Sequence, residues 1–265
     1  MKIFDFHTHI YPTKISRKAV ESVGEFYNIE MDGDGTVENL LAQGKDYDMA
    51  GYLVNSVAVD GAHVEIINNY IASECEKHSE FYGFGSIHAA YANKTDELDR
   101  MVSLGLRGVK IHPDTQQYNL DDRRMDEVYD YLSQSGLPIL IHTGDYRYTY
   151  SHPSRLVKVM DRFPKLTVIA AHFGGWSMHD LALEYLKGKN CYVDTSSSFF
   201  TTGIVRAKEL IRIYGAERVL FGTDFPMWNL KDELENMEKM ELTNEEYEYI
   251  FHKNAYRILG IKEEN

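Results

Sequence analysis

The chain begins with the segment Met1-Lys2-Ile3-Phe4-Asp5-Phe6-His7-Thr8-His9-Ile10. In a β-strand, successive side chains point to opposite faces. Asp5, His7 and His9 then share one face, and the apolar face that contains Phe4 and Phe6 is expected to pack beneath covering helices. The two imidazoles lie side by side at the end of this predicted strand. Both can therefore bind one transition-metal ion.

Seven further segments rich in β-branched and aromatic residues follow, and helical patterns separate them. The eight predicted strands are Lys2–Ile10, Tyr52–Ala58, Phe81–His88, Leu106–Pro113, Pro138–Gly144, Leu166–Gly174, Cys191–Ser197 and Arg218–Pro226. Several are continuously apolar, as is typical of parallel strands buried on both faces. The pattern predicts an α/β fold, a (β/α)8 TIM barrel, formed as one domain over residues 1–265.

The interval between the first two predicted strands is longer than the others, at about 40 residues. It contains a helical pattern at Ser16–Tyr27 and the turn sequence Asp32-Gly33-Asp34-Gly35. In a TIM barrel, the loop after a strand lies on the catalytic face. This insertion after strand 1 is therefore predicted to form a lid or a wall of the substrate site.

Helical signals elsewhere are clear. Helices are predicted at Asp121–Ser135 and Ser154–Phe163, each with apolar residues at helical spacing. Near the end of the chain, Thr243 and Glu246 form a capping box that opens a helix, and Gly260 ends it.

Composition excludes several classes of protein. The net charge is −13, which disfavours binding to nucleic acid. No apolar run is long enough for a transmembrane helix, and a first strand at Met1 leaves no room for a signal peptide. Two cysteines, Cys75 and Cys191, do not make a disulfide framework. We expect a cytoplasmic protein with a small-molecule substrate and no membrane partner, and a homodimer stays open.

Polar residues collect where the predicted strands end. They are His7 and His9, Lys110 and His112, His142, His172 and Asp224. The carboxyl ends of the strands of a parallel barrel share one rim, so these residues are expected to converge. Three or four imidazoles and a carboxylate match the ligands of a catalytic zinc-like ion with one position left for water.

The roles within this set differ. His7, His9, His142 and Asp224 each follow an apolar run at the same point of a unit, and we predict that together they bind metal. His172 serves either acid–base catalysis or metal binding. Lys110 either contacts a substrate carboxylate or forms a structural ion pair. Asp5 either positions His7 or is a structural buried carboxylate whose hydrogen bonds are satisfied.

Five motifs carry a family resemblance. They are Asp5-Phe-His-Thr-His9, Val109-Lys-Ile-His-Pro113, His142-Thr-Gly144, His172-Phe-Gly-Gly175 and Gly222-Thr-Asp-Phe-Pro226. Together with the closing segment Asn254–Gly260, they resemble the amidohydrolase superfamily. More narrowly, they are similar to the amidohydrolase-related branch that includes aminocarboxymuconate-semialdehyde decarboxylase.

The resemblance implies one divalent ion, most often zinc, with manganese as the alternative. Its ligands would be His7, His9, His142 and Asp224, and His172 would be the catalytic histidine. Lys110 occupies the place of the carboxylated lysine that bridges two metals in other members of the superfamily. A second ion therefore stays open.

The leading functional hypothesis is hydrolysis of a small acidic or cyclic substrate by a metal-activated water. Asp224 would transfer the proton, His172 would stabilise the oxyanion, and Lys110 and His112 would bind an acidic group. Aromatic residues near the strand ends, such as Trp176, suggest a ring-bearing substrate. The alternative is metal-dependent, non-oxidative decarboxylation of an aromatic or unsaturated carboxylic acid by the same ligands.

Three other classes fit less well. A polymerase-and-histidinol-phosphatase domain closes with Asp-x-His, whereas this chain has Thr223-Asp-Phe225. A TatD-like nuclease shares the opening motif, but the acidic charge disfavours it. A binding protein that uses an inactive barrel would lack at least one metal-ligating residue, and this sequence contains all of the predicted ones.

Overall fold

The computed structural model describes residues 1–262, in which eight parallel strands pair in sequence order. The strands are β1 (Ile3–His9), β2 (Met49–Asn55), β3 (Phe81–Ser86), β4 (Gly108–Ile111), β5 (Ile139–Ile141), β6 (Val168–Ala170), β7 (Tyr192–Asp194) and β8 (Val219–Leu220). Helices alternate with the strands. The predicted (β/α)8 barrel is confirmed.

The α-helices are α1 (Thr13–Tyr27), α2 (Val37–Gly44), α3 (Val64–Lys77), α4 (Lys94–Ser103), α5 (Pro113–Gln116), α6 (Asp126–Ser135), α7 (Pro153–Arg162), α8 (His179–Leu186), α9 (Phe199–Tyr214), α10 (Leu230–Glu238), α11 (Asn244–Glu248) and α12 (Asn254–Leu259). A π-helical turn, Tyr249–Lys253, joins the last two. Short 3-10 turns are Gly61–His63, Arg123–Met125, His172–Gly174 and Ala216–Arg218. Within residues 1–262, none of the helices has the length and apolar character needed to span a membrane.

The insertion after β1 is helical, as predicted. Its first helix, α1, begins at Thr13, three residues before the predicted start, with Pro12 at the N-cap position. The capping box near the end of the chain is also confirmed. Thr243 Oγ1 accepts from Glu246 N, and the Glu246 carboxylate accepts from Thr243 N.

Several predicted boundaries are wrong at the edges of elements; β2, for example, is Met49–Asn55 and not Tyr52–Ala58. The last strand was predicted to extend from Arg218 to Pro226, but β8 contains two residues. The segment after β8 still forms backbone hydrogen bonds to β1. It departs from regular strand geometry, because Asp224 has a φ of 62°. The helix predicted from Asp121 begins as a 3-10 turn at Arg123 and becomes α-helical at Asp126.

The strict alternation predicted for the first strand is also wrong. Asp5 pairs with Tyr52, whereas Thr8 pairs with Val54, so β1 has one extra residue over this stretch, as in a β-bulge. A bulge shifts the alternation of faces. Phe4 and Phe6 therefore do not lie beneath the outer helices.

Instead, these two rings belong to an inner apolar cluster. Its other strand residues are Leu53, Phe84, Leu140, Ile169 and Leu220, and residues of α12 close it from below. Because Lys110 pairs in register with Leu140, both side chains point to the same face of the sheet, the interior. The apolar cluster therefore fills the lower half of the barrel and leaves the upper half to polar residues.

The barrel closes between β1 and the segment after β8. Phe6 N donates to Phe221 O at 2.8 Å, and Asp224 N donates to His7 O at 2.9 Å. The buried Asp5 carboxylate adds three hydrogen bonds. It accepts from Thr223 N at 3.0 Å, from Thr223 Oγ1 at 2.7 Å and from His7 N at 3.2 Å.

We predict that Asp5→Ala lowers the free energy of unfolding by about 3 kcal/mol, because buried donors of Thr223 lose their acceptor. Asp5→Asn keeps one acceptor oxygen and should lose less. Urea denaturation followed by circular dichroism measures both. Asp48→Ala is the control, since the Asp48 side chain is 65% exposed. An Asp5→Ala protein as stable as this control would contradict the closing role of Asp5.

Candidate metal centre and substrate cavity

A cavity of about 730 Å³ opens at the carboxyl ends of the strands. The predicted polar residues line its inner end, namely His7, His9, Lys110, His112, His142, His172 and Asp224. They come from β1 and β4 and from the segments that follow β4, β5, β6 and β8. The predicted convergence of distant segments at one rim is therefore present in the structure.

His7, His9 and Asp224 form one cluster of candidate ligand atoms in this cavity. The Nε2 atoms of His7 and His9 are 3.2 Å apart. Each lies 3.3 Å from Asp224 Oδ1. Two imidazole nitrogens and one carboxylate oxygen are thus close enough to one another to bind the same metal ion.

Asp194 determines which nitrogen of His7 faces the cluster. Asp194 Oδ2 lies 2.9 Å from His7 Nδ1 and can only accept, so Nδ1 carries the proton and Nε2 keeps its lone pair. A carboxylate behind a ligating imidazole in this way fixes both its tautomer and its orientation. Lys110 Nζ, at 2.8 Å, donates to the lone pair of His7 Nε2.

The same reasoning assigns the tautomers of His172 and His142. The Ser196 carbonyl can only accept, so His172 Nδ1, 2.9 Å away, carries a proton. In the neutral ring, His172 Nε2 then accepts from His142 Nδ1 at 3.0 Å. His142 Nε2 therefore carries a lone pair and no proton. It is buried and has no hydrogen-bond partner among the described residues.

His142 lies apart from the His7, His9 and Asp224 cluster. It groups instead with His112 and Asp114 as candidate ligands, and its Nε2 is 3.5 Å from Asp114 Oδ2. All of these residues line the same cavity. The predicted role of His142 as a fourth ligand stays a prediction, and its unpartnered Nε2 is the feature that favours it.

Burial keeps the imidazoles neutral. It lowers the pKa of His7 to about 4, with a further contribution from Lys110, and lowers the pKa of His9 and His142. Burial opposes ionisation of Asp224, but His7 and His9 outweigh it and hold the pKa of Asp224 well below its usual value. Burial also lowers the pKa of Lys110 to about 8. Neutral imidazoles and an ionised carboxylate are the forms that bind a metal ion.

The backbone at two of these residues is strained. His172 has a φ of 61° and Asp224 a φ of 62°, values that non-glycine residues rarely adopt. Hydrogen bonds hold both in place. His172 N donates to Asp194 Oδ1 at 2.8 Å, and Ser197 Oγ donates to Asp224 Oδ2 at 2.6 Å. Strain of this kind clusters at functional sites, because the surrounding structure must stabilise it.

The insertion forms one wall of the cavity, as predicted. Tyr27, at the end of α1, places its Oη 2.6 Å from His112 Nε2. The His112 ring stacks on that of His142, with centroids 3.8 Å apart and an angle of 7°. The α1 helix is therefore coupled through two side chains to a predicted metal ligand.

Trp176 lies one layer behind this wall. Its ring packs against Tyr27 at 4.8 Å, and it is not among the cavity-lining residues. The Arg147 guanidinium lies over both rings, is bonded to the Asp145 carboxylate, and donates to the Phe26 carbonyl. Direct contact of Trp176 with substrate, as predicted from the sequence, stays a prediction.

Two important residues were missed by the sequence analysis. Asp194 lies within the seventh predicted strand, Cys191–Ser197, and only the structure shows that it ends β7, where the selected residues of the other strands also collect. Tyr27 had no comparable signal, because it belongs to a helix of the insertion and its contact with His112 spans 85 residues.

The donor set fits a divalent ion. Neutral imidazole lone pairs and an ionised carboxylate face the inner end of the cavity, and the unpartnered His142 Nε2 is an orphaned buried polar atom that a ligand would satisfy.

Known proteins with similar folds include several decarboxylases. A 2,6-dihydroxybenzoate decarboxylase crystallised with 2,6-dihydroxybenzoate has a TM-score of 0.78 at 16% identity, over 98% of this chain and 99% of the other. A dihydroxybenzoic acid decarboxylase from Polaromonas, with bound manganese and the inhibitor 2-nitroresorcinol, has a TM-score of 0.75 at 15% identity, over 99% and 98%. A proposed 2-pyrone-4,6-dicarboxylic acid hydrolase from Pseudomonas putida has a TM-score of 0.71 at 17% identity, over 99% and 98%.

One curated sequence, the decarboxylase orsB of Emericella nidulans, is 24% identical over 218 residues. The match covers 62% of this chain and spans 65% of that relative. The family model described as amidohydrolase matches residues 4–261. The chain therefore belongs to the amidohydrolase family, as its five motifs predicted.

Proposed function

We propose that the protein is a metal-dependent decarboxylase that releases carbon dioxide from an aromatic monocarboxylic acid of the hydroxybenzoate type. Sequence analysis placed hydrolysis first. The similar proteins described above include three decarboxylases and one hydrolase, and the chemistry of the cavity also favours decarboxylation.

The observation that carries this proposal is the charge of the cavity. Of the described residues that line it, Lys110 is the one lysine or arginine, and it lies beside the His7, His9 and Asp224 cluster. Lys110 and the ion assigned below both lie at the inner end of the cavity. A second carboxylate placed further out would have no lysine or arginine beside it in a largely apolar cavity, which is unfavourable.

We assign the ion to His7, His9, His142 and Asp224, with zinc and manganese as the candidate metals. When bound, such an ion acts as a Lewis acid that polarises a coordinated oxygen. The carboxylate of Asp194 orients His7 for this role, and the Tyr27 and His112 pair supports the ring of His142.

The chain supplies the remaining chemistry. Lys110 pairs with the acidic group of the substrate and keeps it at the inner end of the cavity. In the reaction the bond between the ring carbon and the carboxyl carbon breaks, carbon dioxide leaves, and the electron pair stays on the ring carbon. The proton that bonds to this carbon comes from solvent. His172 Nε2 takes it up, giving up its hydrogen bond from His142 Nδ1, and the resulting imidazolium delivers it to the carbon while Nδ1 stays bonded to the Ser196 carbonyl.

We predict that protein loaded with zinc or manganese converts 2,6-dihydroxybenzoate or a related hydroxybenzoate to the corresponding phenol and carbon dioxide. His172→Ala should reduce kcat by about 100-fold or more, the typical contribution of a positioned acid. Product analysis by chromatography together with released carbon dioxide measures the reaction.

His78→Ala is the matched control, because His78 follows α3 and does not line the cavity. Hydrolysis of a lactone or an amide without any release of carbon dioxide would reverse the order of the two hypotheses.

We predict one divalent ion per chain in the purified protein. His7→Ala and His142→Ala should lose it, and Asp194→Asn should weaken metal affinity by about 10- to 100-fold, since Asp194 orients His7. Elemental analysis and competition with a chelator measure these effects, again with His78→Ala as the control. Wild-type metal content in both alanine variants would exclude this ligand set.

A further inference from the structure

The cavity continues outward from the polar residues as an apolar channel between α1 and α3. On α1, Ile15, Ala19 and Val23 recur at a spacing of four residues and line one wall. The opposite wall consists of Val57, Val59, Ile66, Ile67 and Tyr70, from the segment after β2 and from α3. Two helix faces and a loop thus enclose a hydrocarbon surface next to the candidate metal site.

The mouth of this channel exposes large apolar side chains to solvent. Ile15 is 51% exposed, Val59 54% and Ile66 63%. Contiguous exposed apolar surface on a folded protein usually marks a binding site. These three residues also line the cavity, so the exposed surface is the outer end of the same site and not a separate patch.

Charge is unevenly distributed along the cavity. The inner end holds Lys110, Asp224, Asp114 and the five histidines His7, His9, His112, His142 and His172. At the outer end, the titratable side chains of the described lining residues are His63, whose Nδ1 lies 2.7 Å from Asp60 Oδ1, and Tyr70. The cavity therefore has one polar end for an acidic head group and one apolar end with no cation to pair with a second acid.

We propose that the apolar channel binds a hydrocarbon substituent, so that the substrate is an aromatic monocarboxylic acid with an alkyl or aryl tail. The placement of the acidic head rests on the proposed function. A volume of about 730 Å³ lies within the range of about 300–1,000 Å³ found for pockets that hold drug-sized ligands, and so leaves room beyond a single ring.

Burial of each methylene group contributes about 0.8 kcal/mol, which corresponds to about fourfold in affinity. Because the mouth of the channel is open to solvent, we expect two- to fourfold tighter binding for each added methylene. The gain should end when the tail extends beyond the exposed side chains of Val59 and Ile66.

The experiment uses metal-loaded protein and a series of 2-hydroxybenzoates that carry hydrogen, methyl, propyl or pentyl at ring position 6. Isothermal titration calorimetry measures the Kd of each acid at a pH where the carboxylate is ionised, and KM and kcat are measured in parallel. We expect Kd and KM to fall along the series.

The double variant Ile15→Ser, Ile66→Ser should flatten this dependence. Both side chains are more than half exposed, so the substitutions are compatible with folding. The matched control is Ile213→Ser on α9, a 36% exposed isoleucine that does not line the cavity. This control should keep the wild-type dependence on tail length.

The outcomes separate this proposal from the proposed function. Tail-dependent binding without release of carbon dioxide would keep the hydrocarbon site and remove the decarboxylase. Decarboxylation with a Kd independent of tail length would keep the enzyme and overturn the hydrocarbon site. A dimer that the double variant dissociates, again without tail dependence, would also overturn it and identify the exposed surface as an interface between two copies of this chain.

Discussion

The candidate site depends on the hydrogen bonds that close the barrel. β1 carries His7 and His9, and the segment after β8 carries Asp224, more than 200 residues later in the chain. Asp224 N donates to His7 O, and His9 N donates to Phe225 O at 2.6 Å. These backbone bonds place the carboxylate beside the two imidazoles. The Asp5 carboxylate strengthens the same seam through Thr223. The hydrogen bonds that close the barrel therefore also bring the residues of the candidate site together.

Proton positions follow from groups that can only accept. Asp194 orients His7, and the Ser196 carbonyl orients His172, which in turn orients His142. Each assignment leaves a lone pair directed away from the acceptor, and burial keeps His7 and His142 neutral because it lowers the pKa of both. The interior of the barrel thus holds the candidate ligands in forms that can bind a metal ion. This arrangement requires buried polar groups and left-handed backbone conformations at His172 and Asp224.

The insertion after β1 extends this polar centre into a cavity with two chemically different ends. Helix α1 provides Tyr27, which bonds to His112 at the polar end, and Ile15 and Ala19, which line the apolar end. Arg147, in the loop after β5, donates a hydrogen bond to the Phe26 carbonyl of α1 and so links the loop to this helix. The barrel supplies the polar end of the cavity, and the inserted helix shapes the apolar end that we propose binds the rest of a substrate.

By itself, the sequence determined the eight-unit barrel and the members of its rim, including His7, His9, His142 and Asp224. Such patterns are local, since an apolar run followed by a histidine or aspartate identifies a strand end without knowledge of its neighbours. Only the tertiary structure showed the bulge in β1, the role of Asp194 and the contact between Tyr27 and His112. These features depend on the register of adjacent strands and on which residues of distant segments meet. Periodicity along one segment carries no information about either.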